Sequence, residues 1–296
     1  MNEDTRRLDV ELVARGLARS RGQARDLVKG GAVRIDGSVA GKVSTPVRAD
    51  QSIELAAGVE EWVSRAAYKL VAALEAFGHD GPAGHDGPAG HDGPAGHDGP
   101  AGYHGLSVVD KRCVDVGACT GGFTQVLLRR GAREVVALDV GHGQLAEELV
   151  GDPRVVERSG VNIRDVRAGD LGGPAELVVA DLSFISLRLV LPVLRDLVEP
   201  TGDLVLLVKP QFEVGRERLG KGGIVRSAED RARVVEEVVS AAATAGLNAR
   251  ALCASPIRGT NGNAEYLLWL TPRPDQGLTM AQVSELAATL STEASA

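Results

Sequence analysis

The sequence predicts an α/β protein, with a mostly parallel seven-stranded sheet covered by helices and a small α+β domain ahead of it. Three observations predict this. After residue 105, short apolar segments alternate with helical ones, and strands apolar on both faces belong to parallel sheets with helices on either side. A glycine-rich segment directly follows the first of those strands, where open α/β sheets bind their ligands. Before residue 60 the pattern changes to two short helices and short alternating strands.

The chain has 296 residues, room for one large domain and one small one. Apolar residues make up 44% and charged residues 25%, which excludes a wholly disordered chain. No apolar run approaches the ~18 residues that span a bilayer, so a transmembrane protein is excluded. The start, Met1-Asn2-Glu3-Asp4, is polar and acidic and lacks the apolar stretch of a secretory signal. Cys113, Cys119 and Cys253 are odd in number and have no metal-ligand spacing. Reduced thiols, a cytoplasmic location and no bound metal are therefore expected. The net charge is −7, yet residues 1–50 hold ten Lys/Arg against seven Asp/Glu. A basic piece on an acidic body points to a polyanionic partner.

Five stretches are expected: 1–58 as the small domain, 59–77 as linker and first helix, 78–105 as an insertion, 106–273 as the main domain and 274–296 as a terminal helix and tail. Residues 8–30 read as a helical pair broken at Gly16, with Ser20 capping the second member and Gly30-Gly31 ending it. Val33 to Gly37 alternates and turns, and a further short strand lies within Val47–Leu55. Trp62, Ala66, Leu70, Ala73 and Phe77 share one helical face.

The hexapeptide Gly78-His79-Asp80-Gly81-Pro82-Ala83 then occurs four times in succession. It has little apolar area to offset the entropy of ordering. Its histidines invite a metal reading, but a period of six builds no coordination shell, and a flexible insertion is expected. Strands are expected at Cys113–Val116, Val135–Asp139, Val155–Glu157, Leu177–Asp181, Leu204–Val208, Ala249–Cys253 and Tyr266–Leu270. Helices are expected to start near Gly122, Gln144, Ser186, Ala228 and Thr279. No helix separates the last two strands, so an antiparallel edge is expected there.

Asp115, Gly117, Ala118, Thr120, Gly121, Gly122 and Phe123 form the glycine segment. Its spacing departs from the Gly-x-Gly-x-x-Gly that suits a dinucleotide pyrophosphate, which disfavours a nicotinamide oxidoreductase. A carboxylate at Asp115 and a wide loop suit a ligand with an amino-acid end. Asp139 ends the next strand, where a carboxylate can accept from both ribose hydroxyls. Together they point to S-adenosylmethionine, with Asn162 placed toward the adenine. Asp181 and Lys209 end the fourth and fifth strands. A buried lysine needs a partner, and a structural ion pair and a catalytic pair are equally compatible with the spacing.

Several motifs then coincide. Leu8 to Arg21 and Val33 to Gly37, Ser64-Arg-Ala-Ala-Tyr-Lys-Leu70, Asp115 to Phe123, Ala180-Asp-Leu-Ser-Phe-Ile-Ser186, Val208-Lys-Pro-Gln-Phe-Glu213 and Gly262-Asn-Ala-Glu-Tyr266 occur in one order. In this the chain resembles the TlyA family of rRNA 2′-O-methyltransferases, also labelled haemolysins, over nearly all of its length except 78–105. The resemblance implies a Rossmann-like, FtsJ-like methyltransferase domain behind a small RNA-binding domain like that of a ribosomal small-subunit protein. It implies a catalytic tetrad of Lys69, Asp181, Lys209 and Glu265, with Asp181 also beside the cofactor. In it Lys209 is the base, Lys69 a neighbouring cation, Asp181 the residue orienting Lys209, and Glu265 the one orienting Lys69 or the hydroxyl.

The implied cofactor is S-adenosylmethionine and the implied partner is rRNA within ribosomal subunits, with no membrane and no obligate protein partner. The cations available for phosphate are Arg6, Arg7, Arg15, Arg19, Arg21, Arg25, Lys29 and Arg34. A non-catalytic ribosome-binding factor would need no such tetrad. A membrane-lytic protein has no amphipathic or spanning segment here. An exocyclic-amine methyltransferase would need an Asn/Asp-Pro-Pro-aromatic run where Asp181-Leu-Ser-Phe184 stands.

Overall fold

A computed structural model describes residues 5–18, 21–56, 62–78, 105–259, 261–274 and 277–294. Contacts divide the chain into two compact units, Met1–Arg65 and Ala66–Ala296.

The first unit contains β1 (Thr5–Arg7), α1 (Leu8–Ala14), α2 (Arg21–Lys29), β2 (Val33–Ile35), β3 (Ser38–Val39), β4 (Pro46–Arg48) and β5 (Ile53–Leu55). The expected helical pair is α1 and α2, and Gly16 between them has φ +71°, a conformation that costs glycine little. The proposed cap Ser20 lies outside the described residues. Leu8, Leu12, Ala24, Val33 and Val47 close a small apolar core. The strands form an antiparallel pair, β1 with β4, and a three-stranded sheet, β3-β2-β5.

The second unit contains α3 (Ala66–Phe77), β6 (Arg112–Val116), α4 (Gly122–Arg129), β7 (Glu134–Asp139), α5 (Glu147–Val150), β8 (Val155–Ser159), β9 (Ala175–Ala180), α6 (Leu191–Leu197), β10 (Val198–Val208), α7 (Pro210–Glu213), α8 (Ala228–Thr244), β11 (Asn248–Ala254), β12 (Tyr266–Thr271) and α9 (Met280–Glu293). The sheet order is β11-β12-β10-β9-β6-β7-β8. The five strands from β10 to β8 are mutually parallel. β12 runs antiparallel to both β10 and β11, which is the expected edge. The hexapeptide tract lies outside the described residues apart from its first glycine. The Leu106 amide donates to the Phe77 carbonyl at 2.9 Å, so the two flanks of the tract meet.

Three expectations need correction. The first helix starts at Ala66 rather than Trp62, because residues 62–65 form a bend and turn. The helix expected near Gln144 is one turn, α5, because Gly141 and Gly143 leave a bend ahead of it. The strand expected at Leu204–Val208 starts six residues earlier, at Val198. Its polar start has no alternating pattern and is held by a shifted pairing of Val198 with Ala175. Among the described residues no helix is long and apolar enough to cross a membrane.

Candidate active site

Parallel register brings the ends of β6, β9 and β10 to one rim. Val116 faces Ala180, and Ala180 faces Leu206, so Asp181 and Lys209 emerge side by side. β12 runs the other way and pairs Tyr266 with Val208. The residue just before β12, Glu265, therefore reaches the same rim. α3 supplies Lys69 from its inward face, beside Ala67, Leu70 and Ala73.

These four side chains form one chain of contacts. Lys69 Nζ lies 2.8 Å from Glu265 Oε2 and 3.3 Å from Asp181 Oδ2. Lys209 Nζ lies 2.6 Å from Asp181 Oδ1 and donates to Ser183 Oγ at 2.8 Å. Lys69, Lys209 and Glu265 are 6%, 7% and 3% exposed. Buried charges are kept only when paired, and two ammoniums alternate here with two carboxylates. Burial pushes the Asp181 carboxyl up, but Lys69 and Lys209 together outweigh it and hold it below the usual range.

Two glycines of the segment pack tightly against protein atoms. Gly117 has φ +84°, and a Cβ there would lie 2.9 Å from the Asp181 carbonyl oxygen. Gly121 has φ +91°, and its Cβ would strike Leu149 and Leu145. Gly122 is buried at the start of α4, and Phe123 is 2% exposed, so its ring belongs to the interior. Thr120 is half-buried, and its carbonyl accepts from the Ala146 amide.

A shallow cleft lies beside this loop. Ala118, Cys119, Asp139, Gly141, Gln144, Leu145, Glu157 and Ser159 line it. The Asp139 carboxylate accepts from the Cys119 amide at 2.8 Å and the Gly141 amide at 2.7 Å, which fixes it while leaving further lone pairs. Asn162 is outside this lining. It is exposed, and its Oδ1 caps a short 3₁₀ turn through the Arg164 amide.

Asp115 is fully buried. Its Oδ2 accepts from Thr124 Oγ1 at 2.7 Å, and its Oδ1 has no partner. Burial, opposed by the bonds from Thr124, pushes this carboxyl up to about 7. The set fits an adenosyl amino acid: a fixed carboxylate for ribose hydroxyls, small residues at the loop, and an orphaned buried oxygen for an ammonium.

Several rim residues carried no role in the sequence reading. Phe184 follows Ser183, has φ +65° and is 92% exposed. Its ring centroid lies 5.3 Å from that of Phe212, and Lys209 Nζ lies 5.9 Å from the Phe212 ring. Gln211 Nε2 is 3.5 Å from Glu265 Oε1. Glu157 lies in the middle of β8, opposite Ala137, and lines the cleft; the strand runs on to Ser159 rather than ending at Glu157.

The N-terminal cations divide. Arg7 and Arg21 both bind the buried Asp9, at 2.9 and 2.7 Å, and their hydrogen bonds lower its carboxyl to about 2. Arg15 turns inward to Glu11 at 2.8 Å and to the Gln51 carbonyl at 2.6 Å. It was counted among the phosphate-facing cations, and its guanidinium is instead committed to holding the unit together. Arg6 is exposed, 3.9 Å from Glu11. Arg25 and Arg34 are exposed, and Arg34 donates to the Gly37 carbonyl at 3.0 Å. Arg19 and the side chain of Lys29 lie outside the described residues.

Residues 62–271 match the FtsJ-like methyltransferase family and residues 6–53 the S4 domain. The chain is 46% identical over 273 residues to the 16S/23S rRNA (cytidine-2′-O)-methyltransferase TlyA of Mycobacterium tuberculosis, spanning 92% of each. It is 33% identical to Hemolysin A of Brachyspira hyodysenteriae, over 88% of this chain and 98% of that one. A solved structure described as a hemolysin from Streptococcus thermophilus matches with a TM-score of 0.69 at 34% identity, covering 98% of this chain and 97% of that one.

Proposed function

Because the chain belongs to the TlyA family and carries its FtsJ-like methyltransferase and S4 domains, we propose that it methylates a cytidine ribose 2′-hydroxyl of ribosomal RNA, using S-adenosylmethionine. The observation that carries this is the Glu265–Lys69–Asp181–Lys209 chain at the rim. The Gly117 backbone joins that rim to the cleft by its close approach to Asp181. Ribosomal subunits as substrate place the protein in the cytoplasm.

When bound, the cofactor supplies a methyl group made electrophilic by a sulfonium. The protein orients the hydroxyl and takes its proton. Lys209 Nζ already holds a hydroxyl, that of Ser183, at 2.8 Å, and a ribose 2′-hydroxyl is the same kind of partner. A lysine acts as a base only from its neutral form. Lys69 lies on the far side of Asp181. Asp181 fixes the direction of Lys209, and Glu265 fixes Lys69. The exposed Phe184 ring is a stacking face for a base turned out of its helix. A transfer assay on separate small and large subunits, with mass mapping of the modified nucleotide, tests this. Methylation of a cytidine ribose in either subunit is expected. No transfer, or methylation on a base, overturns the proposal.

Asp115 gives a pH test. A cationic amine beside Oδ1 favours its ionised form, so binding releases a proton. Cofactor affinity is expected to rise with pH through about 7, by at most tenfold per pH unit. Calorimetry on Asp115→Asn should show that slope gone.

The first unit gives a salt test. Loss of one phosphate contact lowers the slope of log affinity against log salt by about 1. Arg25→Ala and Arg34→Ala are expected to do this for binding to subunits. Arg15→Ala is expected to lower thermal stability and leave the slope unchanged. Equal slopes for all three variants would remove the phosphate assignment.

A further inference from the structure

We propose that Glu213 is a positioning residue for the target nucleotide, acting by pinning the loop that carries Phe184. This rests on the methyltransferase reading above. The loop between β9 and α6 has two anchors. The first is Asp181 and Ser183 on Lys209. The second is Glu213, one helical turn beyond Lys209 and almost fully buried. Its Oε1 accepts from the Leu187 amide at 2.6 Å, and its Oε2 accepts from Ser186 Oγ at 2.5 Å. Arg188 Nε donates to Oε2 at 3.3 Å and Arg188 Nη2 to the Glu213 carbonyl at 2.9 Å. Arg188 Nη1 also reaches Glu237 on α8, at 3.1 Å.

Only Phe184 and Ile185 lie between the anchored residues. Ile185 packs on the main core, whereas Phe184 is outside with a left-handed backbone. That conformation is unfavourable for a bulky residue and persists only where its surroundings impose it. The surroundings here are two clamps on one short segment, residues 209–213. The same segment supplies the base, the loop anchor and the second aromatic ring, Phe212. Glu213 touches neither the cleft lining nor the tetrad. Its effect must therefore pass through the loop.

Small displacements of an aligned substrate cost up to about a hundredfold in rate. Glu213→Ala in the full chain is expected to lower kcat/KM on ribosomal subunits by about ten- to a hundredfold. Cofactor affinity should stay within about twofold, since the cleft is lined by other loops. Glu213→Gln can still accept from Leu187 and donate to Ser186, and should recover most of the activity. Ser186→Ala, a milder change, should move in the same direction as Glu213→Ala. Amide exchange at Leu187 should speed up in Glu213→Ala and remain slow in Glu213→Gln. In a Phe184→Ala background, Glu213→Ala should cost little more, because both act through one ring.

Full activity of Glu213→Ala overturns the proposal. So does a loss that adds fully to that of Phe184→Ala, or a fall in cofactor affinity equal to the fall in turnover. Wild-type protein that transfers no methyl group to either subunit overturns the function itself, a result distinct from these.

Discussion

Lys209→Met is expected to lower kcat by about a thousandfold, within the range of a positioned general base, with cofactor affinity changed less than about threefold. The base must be within hydrogen-bond reach of the proton it takes, and Lys209 Nζ holds the Ser183 hydroxyl at 2.8 Å. Methionine keeps the length and apolar bulk of the stem and removes the proton acceptor. Lys209 does not line the cleft of Asp139 and Glu157, so cofactor affinity is expected to hold. The measurement is single-turnover methyl transfer to ribosomal subunits with calorimetry of the cofactor. Turnover within tenfold of wild type would remove Lys209 from the base role and leave Lys69 as the remaining lysine of the tetrad. Lys209→Arg is also expected to be inactive, because a guanidinium does not release its proton in this pH range.

The second large effect falls on stability. Lys69→Met is expected to destabilise the second unit by about 3–5 kcal/mol, the cost of leaving a buried charge without its partner. Glu265 is almost fully buried, and Lys69 Nζ is the cation 2.8 Å from its carboxylate. Asp181 fares better, since Lys209 remains 2.6 Å away. In the Lys69→Met/Glu265→Gln double variant no unpaired carboxylate remains, and about half of the loss should return. Urea unfolding followed on the second unit measures both. A Lys69→Met loss under about 1 kcal/mol would mean that water reaches Glu265 and that the four groups are not a closed cluster. The double variant should stay inactive even where it is stable, which separates the chemistry of the cluster from its packing.

Much of the fold was legible because the signals were local. Apolar runs such as Val135–Asp139 and Leu177–Asp181 become strands in any context that buries them, and the glycine segment ends the first one. The missed elements lacked such a signal. The start of β10 is polar and takes its extended form only from pairing with β9. The helix expected at Gln144 shrank to one turn because two glycines ahead of it favour a bend. At the site, Asp181 and Lys209 were readable as charges ending apolar strands. Lys69 and Glu265 were readable only through the family resemblance, since a lysine in a helix and a glutamate in a loop carry no mark of burial.

The sequence by itself determined the strand and helix alternation, the glycine segment and the positions of the strand-end carboxylates. These depend on residues near one another in the chain, where steric preference and apolar periodicity act. Only the tertiary structure decided that the antiparallel β12 brings Glu265 against Lys69, and that Arg15 faces inward. It alone decided that Gly117 and Gly121 make room for protein atoms, and that Glu213 holds the Phe184 loop. Each of these depends on what a distant segment places beside the residue, because burial and charge pairing act through space and not along the chain.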